Sequence, residues 1–299
     1  MKILVTGGAG FVGSNLCIAL QDEHEVTVLD NLSSADNKNL EGFDGNIING
    51  DIRDSGTIAK ISQPDIIFHQ AAITGTTITD KGTVFSVNVE GFKTVLDYAT
   101  AKGIDLVYAS SAGVYGNGPV PMKEDQNAPL NVYGLSKLAM DNLAKMHWND
   151  GIKIIGLRYF NVFGPRERYK KKAASMIYQL ALRMVAGKRP KIFKYGEQMR
   201  DHIYVKDVVE ANLKAMKAKQ NCIVNVGTGK ATSFNELIGI LNEVLGKDME
   251  PEYIDNPYQD GYQNNTQAWT ENAEKVLGFK AKYSVEKGVQ EYLTEIGMI

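Results

Sequence analysis

The chain has 299 residues, 43% of them hydrophobic and 23% charged. That composition excludes disordered and collagen-like architectures and allows a substantial core without metal or disulfide. Its 33 basic and 35 acidic residues leave a formal charge of -2. Nothing global draws the chain to nucleic acid or an anionic membrane, so any bound anion must be met locally.

The N-terminal half alternates short apolar runs with amphipathic stretches, the pattern of strand–helix–strand units wound on a parallel sheet. Strands are predicted at Lys2–Thr6, Glu25–Asp30, Asn46–Asn49, Asp65–His69, Asp105–Ala109 and Lys153–Leu157. Helical spacing runs over Phe11–Gln21, Ser55–Ile61, Phe85–Ala101 and Tyr133–Trp148. This predicts an α/β fold of Rossmann type over residues 1–165, with helices on both faces of a doubly wound sheet. A basic stretch, Arg166 to Lys172, leads into a helical pattern at Ala173–Val185 and a smaller, interleaved substrate-binding region over 166–299. Ile203–Val209 and Cys222–Val226 read as strand and helix pieces returning to the main sheet, and further helices are predicted at Phe234–Leu245, Glu271–Leu277 and Val285–Thr294.

Cys17 and Cys222 have no neighbour at metal-ligand spacing and are expected as free thiols in a reducing compartment. His24, His69, His147 and His202 form no H-E-x-x-H pattern and are read as ordinary core or surface residues, so no metal is expected. Gly7, Gly8, Gly10 and Gly13 interrupt the first apolar run too early for a signal sequence, and no run is long enough to span a bilayer. The expected location is the cytoplasm.

Directly after the first predicted strand comes Gly7-Gly8-Ala9-Gly10-Phe11-Val12-Gly13. Glycines there permit a tight turn, close backbone approach to a pyrophosphate, and close packing of helix on strand. The helix start adds unpaired N–H groups and a partial positive charge. Asp30 closes the second strand, where a carboxylate can accept from both adenosine ribose hydroxyls. It would repel a 2′-phosphate, and Asn31-Leu32-Ser33-Ser34 supplies no arginine. NAD is therefore preferred, with NADP left open. Asp51 suits either the adenine amino group or a solvated turn.

Tyr133 and Lys137 lie four apart at a helix start, so both project from one face. A free phenol is a poor base at neutral pH, and a neighbouring ammonium favours the phenolate. Ser110 and Ser111 close the fifth predicted strand, at the carboxyl edge of the sheet where the crevice of such folds lies.

With these features in place, the chain resembles the extended short-chain dehydrogenase/reductase family in its nucleotide-sugar epimerase and dehydratase branch. The likeness is carried by GGAGFVG at 7–13, HQAA at 69–72, SSAGVYG at 110–116, YGLSK at 133–137, RYFNVFGPRE at 158–167, RDHIYVKDV at 200–208 and NVGTGK at 225–230. The resemblance implies that Ser111 hydrogen-bonds the reacting hydroxyl, Tyr133 is the base, and Lys137 holds the nicotinamide ribose while lowering the tyrosine pKa. It places Asn88 and Phe160 in the nicotinamide pocket and Phe11, Val12, Asn31, Ile52, Ala71 and Ala72 around the rest of the cofactor. Asn161 would face the sugar of a nucleotide-diphosphate substrate and Arg200 would clamp its diphosphate. For Asn88 and Phe160 plain packing competes, and for Arg200 a salt bridge with Asp201 or Asp207.

A dehydratase of this branch carries Thr-Asp-Glu where this chain has Ser111-Ala112-Gly113, which favours epimerisation by transient oxidation. Among the epimerases the chain is most similar to the ADP-glycero-manno-heptose 6-epimerases. The similarity rests on Thr76-Thr77, on Pro129 to Tyr133, on Tyr262-Gln263, and above all on Lys170, where that family carries a second acid/base lysine. A solvated basic face competes for Lys170, and the tryptophan expected after Thr77 is missing. UDP-glucose and UDP-N-acetylhexosamine 4-epimerases are the alternative substrate class, and a non-catalytic dinucleotide sensor the alternative function. The helices Phe85–Ala101 and Tyr133–Trp148 suit a two-fold bundle, so a homo-oligomer is expected.

Overall fold

A computed structural model of the chain describes residues 1–75, 78, 80–257 and 261–299. Strands β1 (Lys2–Thr6), β2 (Glu25–Asp30), β3 (Asn46–Asn49), β4 (Ile66–His69), β5 (Asp105–Ser111), β6 (Ile154–Tyr159) and a late strand, Cys222–Val226, form one parallel sheet. With the late strand placed after β6, the order is late strand-β6-β5-β4-β1-β2-β3.

Alternation along β1 explains why the sheet must be covered twice. Ile3 and Val5 point into one buried cluster with Leu16, Cys17, Val208 and Ala211, while Leu4 points into the other with Phe92, Leu96, Met140 and Ala144. Helices α1 (Phe11–Leu20), α2 (Ser55–Ala59), α3 (Lys81–Phe85), α4 (Gly91–Lys102) and α5 (Val132–Met146) supply much of that cover. The helix expected at Phe85–Ala101 starts earlier, capped by Asp80, and is interrupted by a π turn at Ser86–Glu90.

The return at Ile203–Val209 differs from expectation. Strand β7 (Asn161–Phe163) pairs in parallel with His202–Tyr204 as a separate ribbon, because Cys222–Val226 occupies the sheet edge beside β6. The helix expected from Ala173 also starts later. Glu167–Ala173 is a 3₁₀ turn, and α6 (Met176–Val185) begins after the Ser175 cap.

In chain order the remaining elements are β8 (Lys191–Phe193), β9 (Met199–Arg200), β10 (His202–Tyr204), α7 (Val205–Ala215), β11 (Cys222–Val226), β12 (Thr232–Ser233), α8 (Phe234–Leu245), β13 (Glu252–Ile254), α9 (Glu271–Leu277) and α10 (Val285–Glu295). Apolar faces of α6, α8 and α10 form a further core that also takes in Phe11 and Phe163. The first turn of α1 therefore sits between the sheet domain and the C-terminal elements.

Candidate active site

β1 has β2 on one side and β4 on the other, and the crevice opens above their carboxyl ends. Gly7, at φ +70°, brings its backbone against the turn after β4; a Cβ there would lie 2.4 Å from the Ala71 nitrogen. A Cβ on Gly13 would lie 2.2 Å from the Gly7 carbonyl, so α1 can rest on the loop only through glycine. The first turn of α1 carries no acidic residue, leaving its N–H groups and partial positive charge for an anion. Asp30 is fixed by two backbone donors, Ala9 N at 3.0 Å and Leu32 N at 2.8 Å. These features fit a dinucleotide lying from Asp30 across the glycine loop.

Asn31 and Asp51 meet beyond Asp30, the Asn31 amide donating to Asp51 at 3.1 Å. Asp51 is chiefly the partner of Arg53, whose fork holds the carboxyl well below its ordinary pKa. Ile52 is buried under the sheet, and Val12 packs between the two cores. Ala71 and Ala72 are half-buried, with the Ala71 backbone against Gly7.

Ser111, Tyr133 and Lys137 are brought together where α5 meets the end of β5. The Asn131 side chain caps α5 by accepting from Gly134 N at 2.9 Å. A Cβ on Gly134 would lie 2.4 Å from the Gly113 carbonyl, so glycine lets the helix start approach the Ser111-Ala112-Gly113 segment. Tyr133 is thereby hydrogen-bonded to Ser111, whose hydroxyl also accepts from Gly113 N at 3.0 Å. Lys137 is 2% exposed and donates to the Ala109 carbonyl at 2.7 Å. Burial pulls it down to about 8, while the charge of Asp141 acts in the opposite direction. Burial lifts the Tyr133 phenol above its ordinary value, with Ser111 opposing. The ammonium stands 5.9 Å from the tyrosine ring centroid and bonds to Ala109. The expected lowering of the phenol by Lys137 is thus not what the protein alone produces.

Asn88 lies fully buried in the π turn. Its amide donates to Ile73 O at 3.0 Å and Ser136 Oγ at 2.9 Å, and its oxygen accepts from Ile73 N at 2.7 Å. It ties the loop after β4 to α5, and π insertions of this kind are frequent at functional sites. Phe160 is buried 6.1 Å from the Tyr115 ring, behind the serine segment.

Three other segments face the same crevice, as expected for substrate. Arg200, 8% exposed, donates to the Met199 and Asn264 carbonyls and lies 4.9 Å from the Tyr262 ring. The competing salt bridges are not made. Asp201 accepts from Thr228, Gly229 and Ala268, and Asp207 from Lys282 N and Tyr283 N. Arg200 has no carboxylate partner among the described residues. Gln263 donates to the Ala112 and Gly116 carbonyls, fixing the Tyr262 loop to the serine segment. Asn161 accepts from Thr266 at 3.0 Å. Thr76 and Thr77 lie outside the described residues.

Lys170 is half-buried, its ammonium 5.4 Å from the centroid of the Phe11 ring. Burial lowers its pKa and nearby Glu167 opposes. Sequence reasoning passed over Glu167, the one acid in a basic run. Its buried carboxylate accepts from Gly164 N and from Ser175, which anchors both ends of the Lys170 turn. No cluster of metal-ligating side chains occurs among the described residues.

Residues 3–227 match the model of the NAD dependent epimerase/dehydratase family. An ADP-L-glycero-D-manno-heptose-6-epimerase of Brachyspira hyodysenteriae is 38% identical over 97% of this chain and 96% of its own length. The crystal structure of the Helicobacter pylori ADP-L-glycero-D-manno-heptose-6-epimerase superposes with a TM-score of 0.93 at 43% identity, covering 100% of this chain and 96% of that one. UDP-glucose 4-epimerase of Thermotoga maritima, solved with UDP-glucose, gives 0.91 at 32% identity over 99% of each chain.

Proposed function

The chain belongs to the NAD-dependent epimerase/dehydratase family, and from that premise we propose that this nucleotide-sugar epimerase acts on ADP-glycero-manno-heptose at carbon 6. The observation that carries the substrate assignment is a second lysine, Lys170, half-buried over the Phe11 ring on a turn anchored by Glu167. A hexose 4-epimerase served by one tyrosine base has no use for it.

Asp30, the glycine loop and Lys137 would hold NAD, whose chemistry when bound is reversible acceptance of hydride. Tyr133, as phenolate, takes the proton of the sugar carbinol. Ser111, with one lone pair taken by Gly113 N, gives its own hydrogen to the same oxygen. Lys137, together with the positive ring of the bound cofactor, would supply the charge that favours the phenolate. The oxidised sugar then rotates about its carbon–carbon bond. Lys170 holds the proton for the rotated carbonyl, so that reduction on the opposite face yields the epimer. Arg200 and Tyr262 keep the diphosphate in place throughout, its planar fork matching phosphate oxygens.

The same reading expects a homo-oligomer in the cytoplasm. The exposed Leu135 and Met146 on α5, and the free, buried Cys17 and Cys222, support it.

Incubating the holoenzyme separately with ADP-heptose, UDP-glucose and UDP-N-acetylglucosamine, and reading product stereochemistry by NMR, tests the assignment. Inversion of the ADP-heptose alone is expected. Inversion of a UDP-hexose with ADP-heptose untouched would replace the assignment with 4-epimerisation.

A further inference from the structure

Behind the catalytic face, α5 buries a second charge. Asp141 is 0% exposed and lies one helical turn beyond Lys137. One of its oxygens accepts from the Tyr108 hydroxyl at 2.9 Å; the other accepts from Arg158 Nε at 2.9 Å and sits 2.8 Å from Nη2. Arg158 is also 0% exposed. It donates to the Tyr115 hydroxyl at 3.0 Å and to the Glu124 carbonyl at 2.9 Å, with its guanidinium 5.0 Å from the Tyr115 ring centroid. Tyr115 in turn donates to Asn225, whose amide reaches the Met122 and Trp269 carbonyls.

An ion pair out of water gives little net stability, and apolar replacements often match it. Net stability alone therefore does not explain why both charges are buried here. The charges do have a neighbour that needs one. Among the described residues Lys137 bonds directly only to a neutral carbonyl, Ala109. The groups facing it are Tyr133 and Asp141 from its own helix, His69 from β4, and the Tyr108–Arg158 set on β5 and β6 that holds Asp141. His69 is neutral, held down to about 3 by burial and by the Lys137 charge. Asp141 is the one anion of this group.

We propose that Asp141, fixed by Arg158 and Tyr108, is a positioning residue for the reaction: it is the counter-charge that keeps Lys137 an ammonium beside Tyr133. The proposal rests on the reading of Lys137 and Tyr133 given above. Its consequence is an enzyme whose alkaline limit is set from behind the site, by a residue that touches neither substrate nor cofactor.

The test is Asp141→Asn in the NAD-loaded protein, read in two ways. Titration of Lys137 by NMR on ¹⁵N-lysine-labelled protein, assigned with Lys137→Arg, reports its charge directly. The pH profile of kcat reports its use. Removing a neighbouring opposite charge should lower the Lys137 titration by roughly 1 pH unit or more. The alkaline limb of kcat should move down equally, a loss of about tenfold on that limb. Asp141→Glu should restore both. Because Asp141→Asn leaves Arg158 buried and unpaired, Asp141→Leu with Arg158→Met provides a variant free of both charges that should fold and show the same direction of shift. An unmoved Lys137 titration in both variants overturns the proposal. A moved titration with an unmoved kcat limb overturns instead the reading of Lys137 as part of the reaction.

Discussion

Lys137, with its ammonium buried and pulled down to about 8, loses its proton early for a lysine. Activity should therefore fall as pH rises through about 8, since the neutral amine no longer favours the Tyr133 phenolate; a kcat profile measured from about pH 6 to about pH 10 checks this. A plateau to the top of that range would remove Lys137 from the ionisation that limits the rate. Asp30→Ala should weaken NAD by about 1.5–3 kcal/mol, the usual worth of hydrogen bonds to a charged group. NADP should lose less, and titration calorimetry with both cofactors ranks them; the opposite ranking would contradict the role given to the carboxylate. Tyr133, Lys137, Ser111 and Asp30 were legible because their chemistry fixes their spacing on one helix or at one strand end. Asp141 and Glu167 were not: Asp141 acts through Arg158, 17 positions on, and Glu167 through Gly164 and Ser175, at a spacing that no motif marks.

Helix and strand ends were readable where local chemistry marks them. Helix α8 runs from Phe234 to Leu245 as expected because Ser233 and Glu236 form a capping box and Gly246 ends it at φ +60°. The stretch over Phe85–Ala101 was harder. Its amphipathic pattern continues through the π turn, and the Asp80 cap that starts α3 stands before a weak Lys81-Gly82-Thr83 run. His202–Tyr204 has the apolar texture of a sheet strand, but pairing follows from which edge is free, and Cys222–Val226 takes that edge. The β1–α1 junction yields a sharper prediction. Gly13→Ala puts a methyl 2.2 Å from the Gly7 carbonyl, and should cost roughly 1–3 kcal/mol of stability and most of the NAD affinity. A thermal melt with and without NAD reads both; unchanged values would mean the loop has room that the structure does not show.

Sheet domain and C-terminal elements are joined by buried carboxylates as well as by apolar packing. Asp201 accepts from Thr228 N at 2.8 Å, Thr228 Oγ1 at 2.6 Å, Gly229 N at 2.9 Å and Ala268 N at 3.0 Å, which pins the exit of β11 and the end of the Tyr262 loop to the ribbon that carries Arg200. Asp201→Ala leaves these donors buried and unpaired, and should lower stability by roughly 2–4 kcal/mol while raising KM more than it lowers kcat. An unchanged melting temperature would show that the loop is held by other means. Sequence gave no hint of this latch, since its four donors lie 27 to 67 positions away from the carboxylate.

The most direct measurement is turnover of Tyr133→Phe by the NAD-loaded protein, with cofactor content determined on the same sample. The account predicts full NAD occupancy and a loss of kcat of about 10²–10⁴-fold, because the phenylalanine ring keeps the packing and removes the acid–base oxygen. Turnover within a few-fold of the unsubstituted enzyme, at equal NAD content, would contradict it.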